Sequence, residues 1–404
     1  MHETPLSDRV WGRSVRAACS SPLKGLELSN EIDGVLAAVR GIASDTIAAH
    51  AARVDRERVY PADNLRALGA AGALGLVVPV EHGGKGGGLA ALAEACEAIG
   101  AACASTGMVF LMHEATAATV ALGGGERAAS LLPLLASGDA IATLAFSERG
   151  TGAHFYSPEL RAERTNGSVT ITGRKSFVTS GGQADWYLVL LQGEAEGTAD
   201  AYLVAGDDDA VSFDGSWSGL GMAGNSSIAM ELNGVKVTDA DRIGAPGGAI
   251  ELVFGVVAPF FLVGLSAVNV GIATAAAQAA TEHAANRRYP DGSSLAEVQV
   301  VQHLISDMDL ATRQAWLLVQ NAAALGDAGD ASALVAIMEA KVASTEAAIA
   351  VTQRALEVTG GQGYTPSLSI ERHLRDARAG SVMAPTNAVL RNWIGKALAG
   401  LPVP

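Results

Sequence analysis

Between Leu252 and Thr281 the chain runs for 30 residues without a charged side chain, and such a span has few places to go. At about 1.5 Å per residue a helix of that length can cross a bilayer. Its second half, however, is mostly alanine interrupted by Asn269, Thr274 and Gln278. The span therefore reads as a helix buried in a large core, not as a membrane crossing. A chain of 404 residues is long enough to build that core, and to build more than one domain.

Around this span the apolar period changes twice. From Asn30 to about Leu135 it is helical: Ile32, Val35, Leu36, Val39 and Ile42 recur a helical turn apart, and Tyr60-Pro61-Ala62-Asp63 opens a second amphipathic stretch over Leu65 to Leu74. From about Ala140 to Val237 the runs Ser168 to Thr172, Trp186 to Leu191, Ala201 to Val204 and Ser227 to Leu232 alternate with Gly, Asn and Asp turns. They predict a small antiparallel β domain. Helical spacing then returns over Phe254 to Ala285, Leu295 to Leu325, Ala331 to Thr359 and Asn387 to Leu398. The expected architecture is α+β in three parts: a helical domain over 1–139, a middle β domain over 140–246 and a helical domain over 247–404. Ligand clefts belong at their junctions.

Charge and cysteine usage exclude several function classes. With 28 basic and 42 acidic side chains the formal net charge is -14, which disfavours nucleic acid and anionic lipid as partners. Cys19, Cys96 and Cys103 have neither the number nor the spacing of a disulfide scaffold or zinc site, and fit a reduced intracellular setting, with Cys96 and Cys103 packed in helices. The opening Met1-His2-Glu3-Thr4 lacks the apolar core of a signal peptide. A soluble cytoplasmic protein without membrane insertion is expected. The glycine-rich stretch from Glu81 to Gly88 lacks both the Gly-Lys-Ser/Thr ending and the strand-to-helix setting of a phosphate loop, so it reads as a mobile connection.

Four segments have residue types suited to chemistry. Ser147-Glu148-Arg149-Gly150-Thr151-Gly152 combines turn formers, donors and an acid; Phe177-Val178-Thr179-Ser180-Gly181-Gly182 sets an aromatic ring beside two hydroxyls. Thr359-Gly360-Gly361-Gln362-Gly363-Tyr364 offers close backbone approach after a long helix, and Arg375-Asp376-Ala377-Arg378 precedes Met383-Ala384-Pro385-Thr386. Alone, each has a plain explanation as a surface turn, a strand end, a helix stop or a helix end.

In this order and at these separations they resemble the acyl-CoA dehydrogenase family, from about Ile32 to Leu398. Ser147 to Gly152 sits at the family's Thr-Glu-x-x-x-Gly flavin segment, and Gly173 to Trp186 is similar to its Gly-x-Lys-x-Trp-Ile-Thr-Asn-Gly-x-x-Ala-Asp-Trp. The resemblance implies an N-terminal helical domain, a middle antiparallel β domain and a C-terminal four-helix bundle, assembled as a homodimer or homotetramer with FAD between domains and neighbouring subunits. It implies that Leu144, Phe146, Ser147, Phe177, Thr179 and Ser180 line the isoalloxazine. Arg287, Gln299, Gly360, Gly361 and Gly363 fall at its adenosine or pyrophosphate positions, often across a subunit boundary, and Thr386 falls near the dinucleotide.

The resemblance breaks where the family takes its proton. A family dehydrogenase removes an α proton with a glutamate while the β hydrogen leaves as hydride to the flavin. That acid belongs to a Tyr-Glu-Gly-Thr segment, replaced here by Met383-Ala384-Pro385-Thr386, and Ala384 accepts no proton. The family's second location for the acid falls near Phe261 in the apolar run Val257 to Val263, and Glu251 is about three helical turns earlier. Ala153-His154 stands where Ser-Asp is usual, making His154 the candidate relocated acid/base, with a solvated loop histidine as the plain alternative. His303 and His373 have simpler helix-surface or ion-pair explanations.

The expected function is thus an FAD-dependent oxidoreductase acting on an acyl thioester, an acyl-CoA, with an atypical or displaced base and an electron-transfer partner. A reduced-flavin monooxygenase served by a flavin reductase, an acyl-CoA desulfinase and a base-lacking partner subunit of a heteromeric dehydrogenase are the alternatives.

Overall fold

Ser29 starts the first helix by accepting the Ile32 amide on its hydroxyl at 3.3 Å. The structure, a computed structural model, describes residues 29–165 and 168–403; Cys19 and the Met1 to Thr4 opening lie outside them. Helix α1 (Asn30–Ile42) buries the predicted stripe of Ile32, Val35, Leu36 and Val39, and continues through a π turn over Ala43–Ile47 into α2 (Ala48–Arg56). Then come α3 (Ala62–Ala70), α4 (Leu89–Ala102), α5 (Ala104–Gly123) and α6 (Glu126–Ser137). Cys96 is buried on α4; Cys103, also buried, forms the break between α4 and α5.

The glycine-rich stretch corrects the expectation of a mobile connection. The amides of Lys85, Gly86 and Gly87 donate to the carbonyls of Gly75, Val78 and Leu76, and a Cβ on Gly84 would meet the Val78 oxygen at 2.0 Å. These glycines allow one backbone segment to lie directly on another.

The middle part contains β1 (Ala142–Ala145), β2 (Ala162–Thr165), β3 (Ser168–Val178), β4 (Trp186–Gln192), β5 (Ala199–Ala205), β6 (Val211–Asp214), β7 (Ile228–Thr238) and β8 (Arg242–Ile243). They form two four-stranded sheets, in the orders β1-β4-β5-β8 and β2-β3-β7-β6. Pairing is antiparallel, as expected, except that β1 runs parallel to β4. On β4, Leu188 and Leu190 join the helical core while Val189 and Leu191 join the core between the sheets. Burial on both faces is why this strand reads as an unbroken apolar run.

The uncharged span belongs to one continuous helical stretch: α7 (Ala249–Leu252), a π turn over Val253–Val257 and α8 (Ala258–Asn286). Its most apolar window is 72% buried inside the chain, the place predicted for it. Helices α9 (Gln299–Asp327), α10 (Ala333–Thr359), α11 (Ile370–Val382) and α12 (Asn387–Leu398) complete the chain. A Cβ on Gly380 of α11 would meet both Asn269 of α8 and Thr345 of α10, so the middles of those two helices lie level. Arg375 to Arg378 lies inside α11, which runs on to Val382 before the turn.

Candidate active site

The two segments that resemble flavin motifs are fastened together by a buried ion pair. Lys175 on β3 is 0% exposed and donates to Glu148 Oε1 at 2.5 Å and to the carbonyl of Leu190 at 2.5 Å. Glu148 Oε2 accepts the amides of Glu159 and Leu160 at 2.8 and 3.1 Å. Burial pulls the Lys175 ammonium down to about 8, and Glu148 opposes that shift. The Ser176 amide also donates to the Ser147 carbonyl at 2.8 Å. Together these bonds hold the loop after β1 against the end of β3.

Around that joint lie the residues read as isoalloxazine neighbours. Leu144 and Phe146 are buried, while Phe177 has φ of 52° and is 71% exposed, edge-on to Trp217 at 6.5 Å. A positive φ is costly for an aromatic residue. Here it turns the ring outward, where a flat ligand can lie against it. Thr179 Oγ1 lies 3.1 Å from Ser227 Oγ, so one hydroxyl donates to the other and the second proton is free for a further acceptor. Ser180 is enclosed: its hydroxyl accepts from Tyr60 at 3.1 Å, its carbonyl accepts from Tyr187 at 3.0 Å, and its amide donates to the Asn225 carbonyl at 2.9 Å. Asn225 itself is 1% exposed, and its buried side-chain oxygen has no donor among the described residues.

The loop behind these hydroxyls is pinned by the Arg-Asp pair of α11. Asp376 accepts the Met222 amide at 2.6 Å, and a Cβ on Gly221 would meet the Arg375 carbonyl at 2.5 Å. Arg375 forks onto Asp55 at 2.8 and 2.6 Å and reaches Glu371 at 2.9 Å. Burial raises the Asp376 carboxyl to about 6.

Arg287, Gln299, Gly360, Gly361 and Gly363 form a separate group. Arg287 follows α8, Gln299 opens α9, and the glycines follow α10. A Cβ on Gly360 or Gly361 would meet nothing within 4 Å, whereas one on Gly363 would meet Thr359 Oγ1 at 1.9 Å. Two of the glycines therefore face open space and the third is required by packing. Among the described residues no hydrogen bond joins this group to the one around Phe177. Thr386 caps α12, accepting the Val389 amide at 3.4 Å, and keeps its own hydroxyl proton for another acceptor.

A cavity of about 490 Å³ lies where α8, α10 and α12 begin, with Phe155, Phe254, Leu262, Ile337, Pro385 and Trp393 in its walls. Each of three positions weighed for the proton acceptor adjoins a wall residue: His154 precedes Phe155, Phe261 precedes Leu262, and Ala384 precedes Pro385. His154 is exposed, with its ring edge-on to Tyr156 at 5.9 Å. His303 is exposed on α9, whereas His373 is buried on α11 and driven down to about 3 chiefly by burial, so it is neutral. A more open groove of about 540 Å³ runs past Asp55, Arg58, Tyr364 and Arg375, with Asp55 and Arg375 already paired.

Two features escaped sequence reasoning. The Glu148–Lys175 pair had a signal, an acid in one flavin-like segment and a lysine in the next. The other, Lys341, had none. It is 0% exposed in α10, and its ammonium reaches the carbonyl of Pro385 at 3.0 Å and Asn387 Oδ1 at 2.9 Å.

The sequence matches three family descriptions: "Acyl-CoA dehydrogenase, N-terminal domain" over 29–139, "Acyl-CoA dehydrogenase, middle domain" over 143–235 and "Acyl-CoA dehydrogenase, C-terminal domain" over 263–399. It is 28% identical over 376 residues to the probable acyl-CoA dehydrogenase FadE25 of Mycobacterium tuberculosis, covering 92% of this chain and 96% of that protein. The structure is similar to butyryl-CoA dehydrogenase from Megasphaera elsdenii, with a TM-score of 0.87 and 22% identity, over 93% of this chain and 100% of that one. It is also similar to PigA in its FAD complex, with a TM-score of 0.85 and 21% identity over 93% and 99% of the two chains. Those structural likenesses establish the fold.

Proposed function

The chain belongs to the acyl-CoA dehydrogenase family, and from that footing we propose that it is an FAD-dependent oxidoreductase whose acyl thioester lies in the cavity between Phe254, Pro385 and Trp393, with His154 as displaced proton acceptor. The observation that carries this reading is the convergence on one apolar cavity of the neighbours of His154, Phe261 and Ala384. FAD, when bound, supplies the hydride acceptor.

The residues suit that cofactor. Phe177 presents an exposed ring to the flat flavin, the Thr179–Ser227 pair has a hydroxyl proton to donate, and the Asn225 oxygen lacks a donor among the described residues. Arg287 supplies charge-assisted donors for pyrophosphate, and Gly360 and Gly361 leave room for it. In this reading the two groups of cofactor residues serve different copies of the chain, so the active form is a homodimer or homotetramer. His154 takes the thioester's α proton on a ring nitrogen. An electron-transfer partner then collects the electrons.

The test is to purify the protein, identify its flavin, and follow anaerobic bleaching with a panel of acyl-CoA thioesters. Bleaching by at least one of them is expected. Bound FAD that no thioester bleaches would remove the dehydrogenase reading.

A further inference from the structure

A buried cation sits behind the cavity wall and, among the described residues, forms no ion pair. Lys341 Nζ donates to the Pro385 carbonyl at 3.0 Å, to Asn387 Oδ1 at 2.9 Å and, at 3.4 Å, to the Met383 carbonyl. The Asn387 amide in turn donates to Thr345 Oγ1 at 3.0 Å, which fixes its orientation. Three N–H groups therefore meet three acceptors, and those acceptors bracket Ala384 and begin α12. Pro385 and Leu390 on one side and Ile337 and Met338 on the other line the cavity.

We propose that Lys341 is the positioning residue of the cavity: its ammonium holds the turn from Met383 to Asn387, and with it the wall at Pro385, in the geometry that receives the ligand. This rests on the reading of the cavity as the thioester site. Lys341 touches no reacting atom, and it acts through the turn.

Protonation decides how well the turn is held. Burial brings the Lys341 ammonium down to about 7. Above that pH the neutral amine has two N–H groups for three acceptors, and one oxygen of the turn is released. Glu346 pairs with Arg391, Arg354 with Asp307, and Asp327 accepts the Leu89 and Ala90 amides. On α11, His373 is buried and neutral and Asp376 holds Met222. Glu339 and Lys396 form no ion pair with it among the described residues, and α8 carries no charge before Glu282.

Two measurements on the FAD-loaded protein test the proposal. Hydrogen exchange over residues 383–390 reads the turn without any substrate. At pH 6, Lys341→Met is expected to exchange at least tenfold faster there, with Lys341→Arg close to wild type and both variants keeping their circular dichroism. Equal exchange in Lys341→Met and wild type overturns the proposal. The second measurement is the Kd for octanoyl-CoA, followed through the flavin spectrum from pH 6 to 9. It is expected to weaken about tenfold in wild type, to stay flat in Lys341→Arg, and to be weak throughout in Lys341→Met. Parallel profiles in all three proteins overturn the link to binding. If no thioester perturbs the flavin of wild type while exchange still responds to Lys341, the thioester reading fails and the held turn stands.

Discussion

Lys175 and Glu148, 27 residues apart in sequence, meet at 2.5 Å in the interior and join the loop after β1 to the strand that ends in Phe177. The Glu148 carboxylate faces the Glu159 and Leu160 amides on its other oxygen, so the pair has its hydrogen bonds nearly complete. Removing one member leaves the other charged and buried, which costs about 3–5 kcal/mol. Glu148→Gln and Lys175→Met are each expected to lower stability by that amount in guanidinium unfolding and to lose FAD on gel filtration. The double variant is expected to cost less than the sum of the two. Strict additivity would show that the two side chains are not coupled.

Phe177 makes a different demand, because its ring is exposed and contributes little to the folded core. Phe177→Ala is therefore expected to weaken FAD binding about tenfold, the equivalent of about 1.4 kcal/mol of ring contact, while the melting temperature of the apoprotein stays within about a degree. Phe177→Trp is expected to retain FAD. Unchanged FAD affinity in the alanine variant would remove the ring from the cofactor site.

Asp376 gives the protein a pH signature. Its carboxyl is raised to about 6 in the folded chain, chiefly by burial, against 3.8 when exposed. Between those values the folded state binds more protons than the unfolded state, so this group makes stability fall as pH rises from about 4 to 6. Asp376→Asn keeps an oxygen for the Met222 amide and removes the titration. The variant is expected to be more stable than wild type at pH 7 by up to about 3 kcal/mol, with no difference near pH 4. Denaturant midpoints across that range measure it, and a constant offset at every pH would contradict the assignment.

Much of the architecture was legible because one-dimensional patterns encode it directly. The Ile32 to Val39 stripe became the buried face of α1, and the uncharged span became a buried helix. The apolar run of β4 was legible as a strand, but not its parallel pairing with β1, because pairing direction depends on the route of the chain between strands. The glycine-rich stretch misled because a backbone packed on Val78 and a free loop call for the same residue type. The site was legible only as far as motifs reach. Arg375–Asp55 spans 320 residues, and Lys341 is one lysine in a long helix; what gives each its role is a tertiary contact with no local pattern.

Ala384 and His154 together allow the proton step to be moved deliberately. Ala384 is partly buried beside Pro385, and a carboxylate there would share the wall of the cavity. A positioned general base contributes roughly 10²–10⁴-fold to such a step. His154→Asn is expected to slow thioester-dependent flavin bleaching about 100-fold with FAD content intact, since its exposed ring supports no core packing. Ala384→Glu in that background is expected to recover the loss, because it places an acid against the same ligand by another route. The measurement is single-turnover bleaching of wild type and the two variants under anaerobic conditions with one acyl-CoA. A rate indifferent to His154→Asn removes His154 from proton transfer. A rate indifferent to Ala384→Glu shows that the thioester's α carbon does not lie beside that wall, and the cavity must then be assigned to another part of the substrate.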